Sequence, residues 1–157
     1  MKSRGIDLIC VGKLKTAWWK EASAHYLSML RKWRDIRLLE TRDGDSSLSI
    51  RDRKTREAEF ISRVIEPGQR LIGLHETGSI FTSRGLADFL RRLDEKEPRR
   101  VAFIVGGPFG LADSLLESCS TLVSLSAFTF PHELARVILL EQLFRAESIL
   151  RRFPYHH

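Results

Sequence analysis

The feature that most limits what this chain can fold into is its regular alternation of two hydrophobic periods. Short apolar runs recur at residues 6–12 (IDLICVG), 35–41 (DIRLLET), 70–76 (RLIGLHE), 100–105 (RVAFIV) and 121–126 (TLVSLS). Each reads as a strand, and the continuous apolar character of RVAFIV fits a strand covered on both faces. Helical spacing fills the intervals. Trp19, Ala22, Tyr26, Leu30 and Trp33 recur at three- and four-residue steps within residues 18–33. A second helix is expected over 50–65, closing at Glu66-Pro67-Gly68. A third starts at Ser83, whose hydroxyl suits an N-cap, and carries Leu86, Phe89, Leu90 and Leu93 on one face. A short fourth helix lies around 113–118, and a long fifth runs from about Pro131 to Leu150. Strand and helix alternating five times predict an α/β fold: a mainly parallel sheet with helices on both faces.

Ligands bind such sheets at the carboxyl ends of their strands. That rule selects three loops: GLHETGS (73–79), GGPFG (106–110) and SAFTF (126–130). GGPFG is neither GxGxxG nor a phosphate loop and follows the fourth strand, so by itself it reads as a tight turn. The five histidines fall into no metal-binding spacing, and no GxSxG elbow marks a serine hydrolase. Cys10 and Cys119 lack CxxC spacing, and Cys10 reads as a buried thiol. No apolar run approaches the roughly 20 residues of a membrane span, and residues 6–11 are too short for a secretory core. A single cytoplasmic domain of 157 residues is expected, with no membrane partner.

Charge is unevenly placed. Residues 1–56 contain 14 Lys/Arg against 7 Asp/Glu, whereas residues 57–157 contain 12 against 13. A basic half beside a near-neutral one suggests a polyanion surface, nucleic acid first. Lys13, Lys15, Arg31, Lys32 and Arg34 are the candidate RNA contacts, with a solvated basic face as the alternative. The last helix has two apolar stripes. Ala135, Ile138, Leu139, Leu143, Ala146, Ile149 and Leu150 form one; Val137, Leu140 and Phe144 form the other. The first should face the sheet. The second needs either another element of the chain or a second subunit, and a homodimer is the favoured expectation.

These readings reach a basic α/β domain but no reaction. The blocks VGGPFGL, LSAFTFPHELARVILLEQLFRAESIL and the closing PYH, with ICVGKLK near the start, resemble the RlmH family over essentially the whole chain. That family methylates pseudouridine in large-subunit ribosomal RNA and belongs to the SPOUT class. The resemblance implies a C-terminal trefoil knot, a homodimer with pockets near its interface, and S-adenosylmethionine (SAM) as cofactor. It further implies 23S rRNA in the assembled 70S ribosome as substrate, with N3 of pseudouridine as acceptor. The matching cofactor positions are Leu74, Gly106, Leu125, Ser126, Ala127, Phe128, Thr129 and Phe130. Gly106 would allow close approach, while Leu74 and Leu125 would supply apolar wall.

Within the tail RFPYHH, Pro154, Tyr155 and His156 match the family's PYH ending, which folds toward the pocket, while His157 replaces a residue that is often basic or acidic in relatives. Tyr155, His156 and Arg136 are therefore the catalytic candidates, and Arg145 either meets RNA or pairs with Glu141. Two positions depart from the pattern: Phe109 stands where relatives usually have an acid, and His75 where they often have Asp. The competing expectations are a related transfer-RNA methyltransferase and a ribosome-binding factor without catalysis.

Overall fold

A computed structural model describes residues 3–155. Ten elements alternate as the two periods require: β1 (Ile6–Val11), α1 (Ala17–Arg31), β2 (Ile36–Thr41), α2 (Ile50–Ser62), β3 (Arg70–Ile80), α3 (Ser83–Lys96), β4 (Val101–Val105), α4 (Asp113–Ser118), β5 (Thr121–Ser124) and α5 (His132–Leu150). The five strands form one sheet in the order β2-β1-β4-β3-β5, and every pairing is parallel. β1 and β4 are central and wholly buried, which is why their sequences hardly alternate.

Side chains leave a strand on alternate faces, so the sheet serves two cores. Ile6, Leu8 and Cys10 of β1 and Phe103 of β4 join Leu30, Leu90, Leu140 and Phe144 on the face covered by α1, α3 and α5. Ile9, Val11, Ala102 and Ile104 meet Ala58, Ile61 and Leu115 on the face covered by α2 and α4. Burial pushes the Cys10 thiol up to about 12, as expected for a thiol used only for packing.

Both stripes of α5 lie largely within the chain. Val137, Leu140 and Phe144 are buried, and the Trp33 ring stacks on Phe144 with 5.0 Å between centroids. The second stripe therefore belongs to α1 and the turn after it. It is not the free face from which a homodimer was argued, because α1 lies alongside α5 and fills that space. The cap of α3 also differs from expectation. Thr82 is the N-cap and accepts from the Gly85 N–H at 3.0 Å, while Ser83 is the first helical residue.

Two sets of buried charges fasten the layers away from the strand ends that bind ligands. Asp7 accepts from Arg37, Arg100 and Gln69. Burial pushes its carboxyl up, but those hydrogen bonds outweigh it and hold Asp7 below the usual carboxylate range. Arg34 is 3% exposed and grips both oxygens of Asp94 at 2.7 and 2.8 Å, together with Glu147 and the Arg4 carbonyl. Arg34 is thus not part of an RNA surface; its charge is spent joining α3 to α5.

Candidate functional site

β3 creates the site by leaving the sheet and returning to it. Leu74 pairs with Val123 of β5, the chain loops out, and Ser79 pairs with Val123 again. Gly78 makes the return possible: a Cβ there would lie 2.5 Å from the Leu122 and Val123 backbone. The excursion carries His75 and Glu76 to the carboxyl end of the sheet, where the His75 Nδ1 lies 2.8 Å from the Thr77 hydroxyl oxygen.

The loop after β4 forms the facing wall. Gly110 adopts φ 78° and donates its N–H to the Gly107 carbonyl at 3.0 Å, folding GGPFG over itself. A Cβ on Gly106 would lie 2.8 Å from the Gly110 carbonyl carbon. The loop's own backbone therefore requires a glycine at 106, in addition to any close approach by a ligand. Beneath it, α2 acts as a prop. Buried Glu57 accepts from the Gly44 N–H at 3.0 Å and Arg53 Nε at 3.2 Å, and a Cβ on Gly107 would come within 3.3 Å of it. Arg53 also lies over the Phe109 ring, 5.4 Å from its centroid. The phenyl group that replaces the expected acid thus still has a cationic partner.

The segment after β5 closes the third side. The Ser124 hydroxyl donates to the Ser126 carbonyl, and the Phe128 N–H donates to the Ser126 hydroxyl, both at 3.0 Å. These bonds fix the backbone while leaving the Phe128 ring 81% exposed at the rim. The resulting cleft has a volume of about 380 Å³ and also touches His132 and Ala135 of α5. It brings together every one of the predicted cofactor positions: Leu74, Gly106, Leu125, Ser126, Ala127, Phe128, Thr129 and Phe130. Sequence reasoning missed Glu76, Val123 and His132. The first lies inside a loop it had selected, and the others gave no signal beyond adjacency to such a loop.

The remaining candidates lie elsewhere. Arg136 points inward, donating to Glu40 at 2.6 Å and to the Gly12 carbonyl at 2.7 Å, and it does not line the cleft. Arg145 pairs with Glu141 at 2.6 Å, the second of the two readings given above. After α5 the chain turns through Arg152 (φ 55°), and the Phe153 N–H closes on the Ser148 carbonyl at 2.8 Å. Tyr155 then packs edge-on against Phe144, lies under Arg145, and donates to Glu141 at 3.3 Å. The described tail therefore rests on the chain's own α5 and not in its cleft. Burial, with Tyr26 and Glu141 beside it, raises the Tyr155 hydroxyl above its ordinary value, so it stays protonated at neutral pH. His156 and His157 lie outside the described residues.

Lys13 and Lys15 are exposed in the loop after β1. Glu133 of α5 accepts from the Lys15 N–H and, at 2.8 Å, from the Thr16 hydroxyl, which ties that loop to the helix start beside the cleft. Arg31 and Lys32 are exposed at the other end of α1, about 22 Å along a 15-residue helix. The four do not form one cluster.

A parallel sheet whose strand ends and glycine loop border a cleft of mixed polar and apolar lining is an α/β arrangement with a candidate ligand site where such sheets offer one. Two solved structures share the fold. A probable methyltransferase from Bordetella pertussis Tohama I has a TM-score of 0.56 at 16% identity, with 91% of this chain and 96% of that one covered. A probable methylase family protein from Haemophilus influenzae Rd KW20 has a TM-score of 0.56 at 11% identity, covering 95% and 67%. Residues 5–156 match the family described as "Predicted SPOUT methyltransferase", and the chain belongs to that family. Two proteins named "Ribosomal RNA large subunit methyltransferase H" are similar to it over the full length of both chains. That of Desulfovibrio desulfuricans is 46% identical and that of Lawsonia intracellularis 44%. No helix among the described residues is long and apolar enough to cross a membrane.

Proposed function

We propose that this protein is a SAM-dependent methyltransferase of large-subunit ribosomal RNA, acting in the cytoplasm on N3 of a 23S rRNA pseudouridine in the 70S ribosome. The observation that carries the reading is the convergence of Leu74, Gly106 and residues 125–130 on one cleft. The full-length likeness to proteins named as large-subunit methyltransferases supports the substrate class.

The lining fits SAM. Leu74, Val105, Val123 and Leu125 offer apolar wall for an adenosyl group, and the backbone of the turns after β4 and β5 offers polar groups for its edges. Glu76 is the only carboxylate among the described lining residues, and it suits a cationic ligand. Bound there, SAM would supply an activated methyl group. The chain's own tasks are to hold the donor still and to align the acceptor, which places proximity and orientation ahead of acid–base strength. Phe128, at the rim, is positioned to pack against an entering base.

The acceptor N3 must lose a proton. Tyr155, held protonated, can orient or donate but is not the base, which leaves His156 as the residue to test. In the single chain Tyr155 rests on α5, so a homodimer in which the tail serves a neighbouring cleft is the arrangement we favour. Lys13 and Lys15, beside the cleft, are proposed to meet the RNA.

The deciding experiment is transfer of labelled methyl from SAM to 70S ribosomes lacking the modification, comparing the full chain with one ending at Phe153. Transfer by the full chain alone is expected. Methylation of transfer RNA instead would assign the related activity. Ribosome binding without transfer by either form would identify a non-catalytic ribosome factor.

A further inference from the structure

α2 carries a group of side chains that neither the cleft nor the core uses. Arg42, Arg56 and Arg63 all gather over the ring of Phe60, with guanidinium carbons 5.6, 5.0 and 5.4 Å from its centroid. All three arginines are exposed. Arg56 also meets Glu59 at 2.5 Å, an exposed pair of the weak kind. Among the described residues, Arg42 and Arg63 form no ion pair.

This arrangement differs from an ordinary solvated basic face. A carboxylate would neutralise a guanidinium and occupy its N–H edges. An aromatic ring holds it by its flat side, leaves the charge intact, and leaves the edges open to an acceptor. Three like charges around one ring repel each other, and that repulsion is relieved when an anion joins them.

The helix also aims the group. At 100° per residue, Arg53, Arg56, Phe60 and Arg63 fall within an arc of about 80°. Arg53 lies over Phe109 at the lip of the cleft. From there the row runs about 15 Å along α2 to Arg63, with Arg42 joining it from the end of β2.

We propose that this row is a phosphate track for the substrate RNA: Arg42, Arg56 and Arg63, gathered by Phe60, bind the backbone of the strand whose base enters the cleft. The proposal rests on the rRNA methyltransferase reading for its ligand and adds a surface that the basic residues singled out from sequence did not include. Phosphate contacts position the strand without reading its sequence. The track therefore sets affinity and salt dependence, and leaves the cleft's own ligand untouched.

The test uses the full-length protein and measures binding to 70S ribosomes lacking the modification across a salt series. The triple variant Arg42→Gln/Arg56→Gln/Arg63→Gln is compared with a charge-matched triple on α3, Arg84→Gln/Arg92→Gln/Lys96→Gln. Loss of three phosphate contacts should reduce the slope of log K against log salt by about 2 and raise the ribosome KM at least about tenfold, since each phosphate contact contributes to a salt-dependent affinity. SAM binding, measured by calorimetry on the free protein, should stay unchanged, as should the slope of the α3 triple. Phe60→Leu keeps every charge but releases the gathering, so it should lower affinity while leaving the slope nearly intact. An unchanged slope in the α2 triple, or an equal fall in both triples, overturns the track. Because the slope is read from binding, it decides the question whether or not methyl transfer is found.

Discussion

Replacing Arg34 by methionine is the sharpest test of how the layers are held. Among the described residues Arg34 is the only cation that reaches both Asp94 and Glu147, and its side chain is almost wholly buried. Burial works against its charge, and the two carboxylates more than compensate, raising its pKa above the ordinary arginine value. Removing one partner of a buried pair costs about 3–5 kcal/mol, because the charge left behind is uncompensated. Here each carboxylate retains one donor: Asp94 the Arg4 N–H at 2.7 Å, Glu147 the exposed Arg151 at 3.3 Å. The loss should therefore fall near the lower end, about 3 kcal/mol. For a chain of this size that lowers Tm by about 6–12 °C. Urea and thermal unfolding at pH 7 would measure it. Replacing the whole group, Arg34→Met with Asp94→Leu and Glu147→Met, should recover most of the loss. A single-variant loss below about 1 kcal/mol would refute the reasoning, since it would place the cluster outside the packed interior.

Asp7→Asn should cost about 2 kcal/mol at pH 7, and the difference from wild type should shrink in acid. The folded-state carboxyl is held low, so its contribution is complete above about pH 4 and is lost as pH falls through the folded value. Urea unfolding from pH 7 down to 3 would read this, and a gap that widened in acid would be contrary. Gly106→Ala should weaken SAM binding about tenfold or more, because its Cβ has only the Gly110 backbone to displace. Gly110→Ala meets nothing within 4 Å but must hold φ 78°, so it should cost about 1 kcal/mol of stability, with a smaller loss of binding. Calorimetry with SAM alongside thermal melts separates the two. In the native protein a disulfide reagent should modify Cys119 slowly and Cys10 only on unfolding, since burial keeps the Cys10 thiol protonated. Two thiols reacting at equal rates would contradict that.

The strands and helices were legible because buried parallel strands and amphipathic helices leave different periods, and here they alternate without interruption. The cleft was legible as three loops, since a parallel sheet offers its strand ends to ligands. What escaped was whatever depends on side chains from distant segments. Arg34 looked like one of five basic residues near α1, and nothing local announces that Asp94 and Glu147 will enclose it. Val137, Leu140 and Phe144 looked like an open face because their cover, Trp33 and Tyr155, comes from both ends of the chain. Gly106 has a second duty that its neighbours in sequence do not announce, which is to make room for the Gly110 backbone of its own loop. Arg56 and Arg63 stand at the helical steps of −4 and +3 from Phe60 and were legible as its neighbours, whereas Arg42, at −18, comes from another element and was not.

The strand order has a consequence for how the protein is made. β1 emerges first, yet one of its two neighbours is β4, whose first residue is Val101. Between the end of β2 at Thr41 and that residue the ribosome adds about 60 residues, which takes about 3–12 s at ordinary elongation rates. Throughout that interval the inner edge of β1, wholly apolar apart from Asp7, lacks the strand it pairs with in the finished sheet. Chains arrested before residue 101 are expected to stay protease-sensitive for this reason. Such an edge is an invitation to other chains, and sequence-distant pairing makes its closure slow. A protein that places its first strand inside its sheet thus leaves one edge of that strand open until β4 has been made.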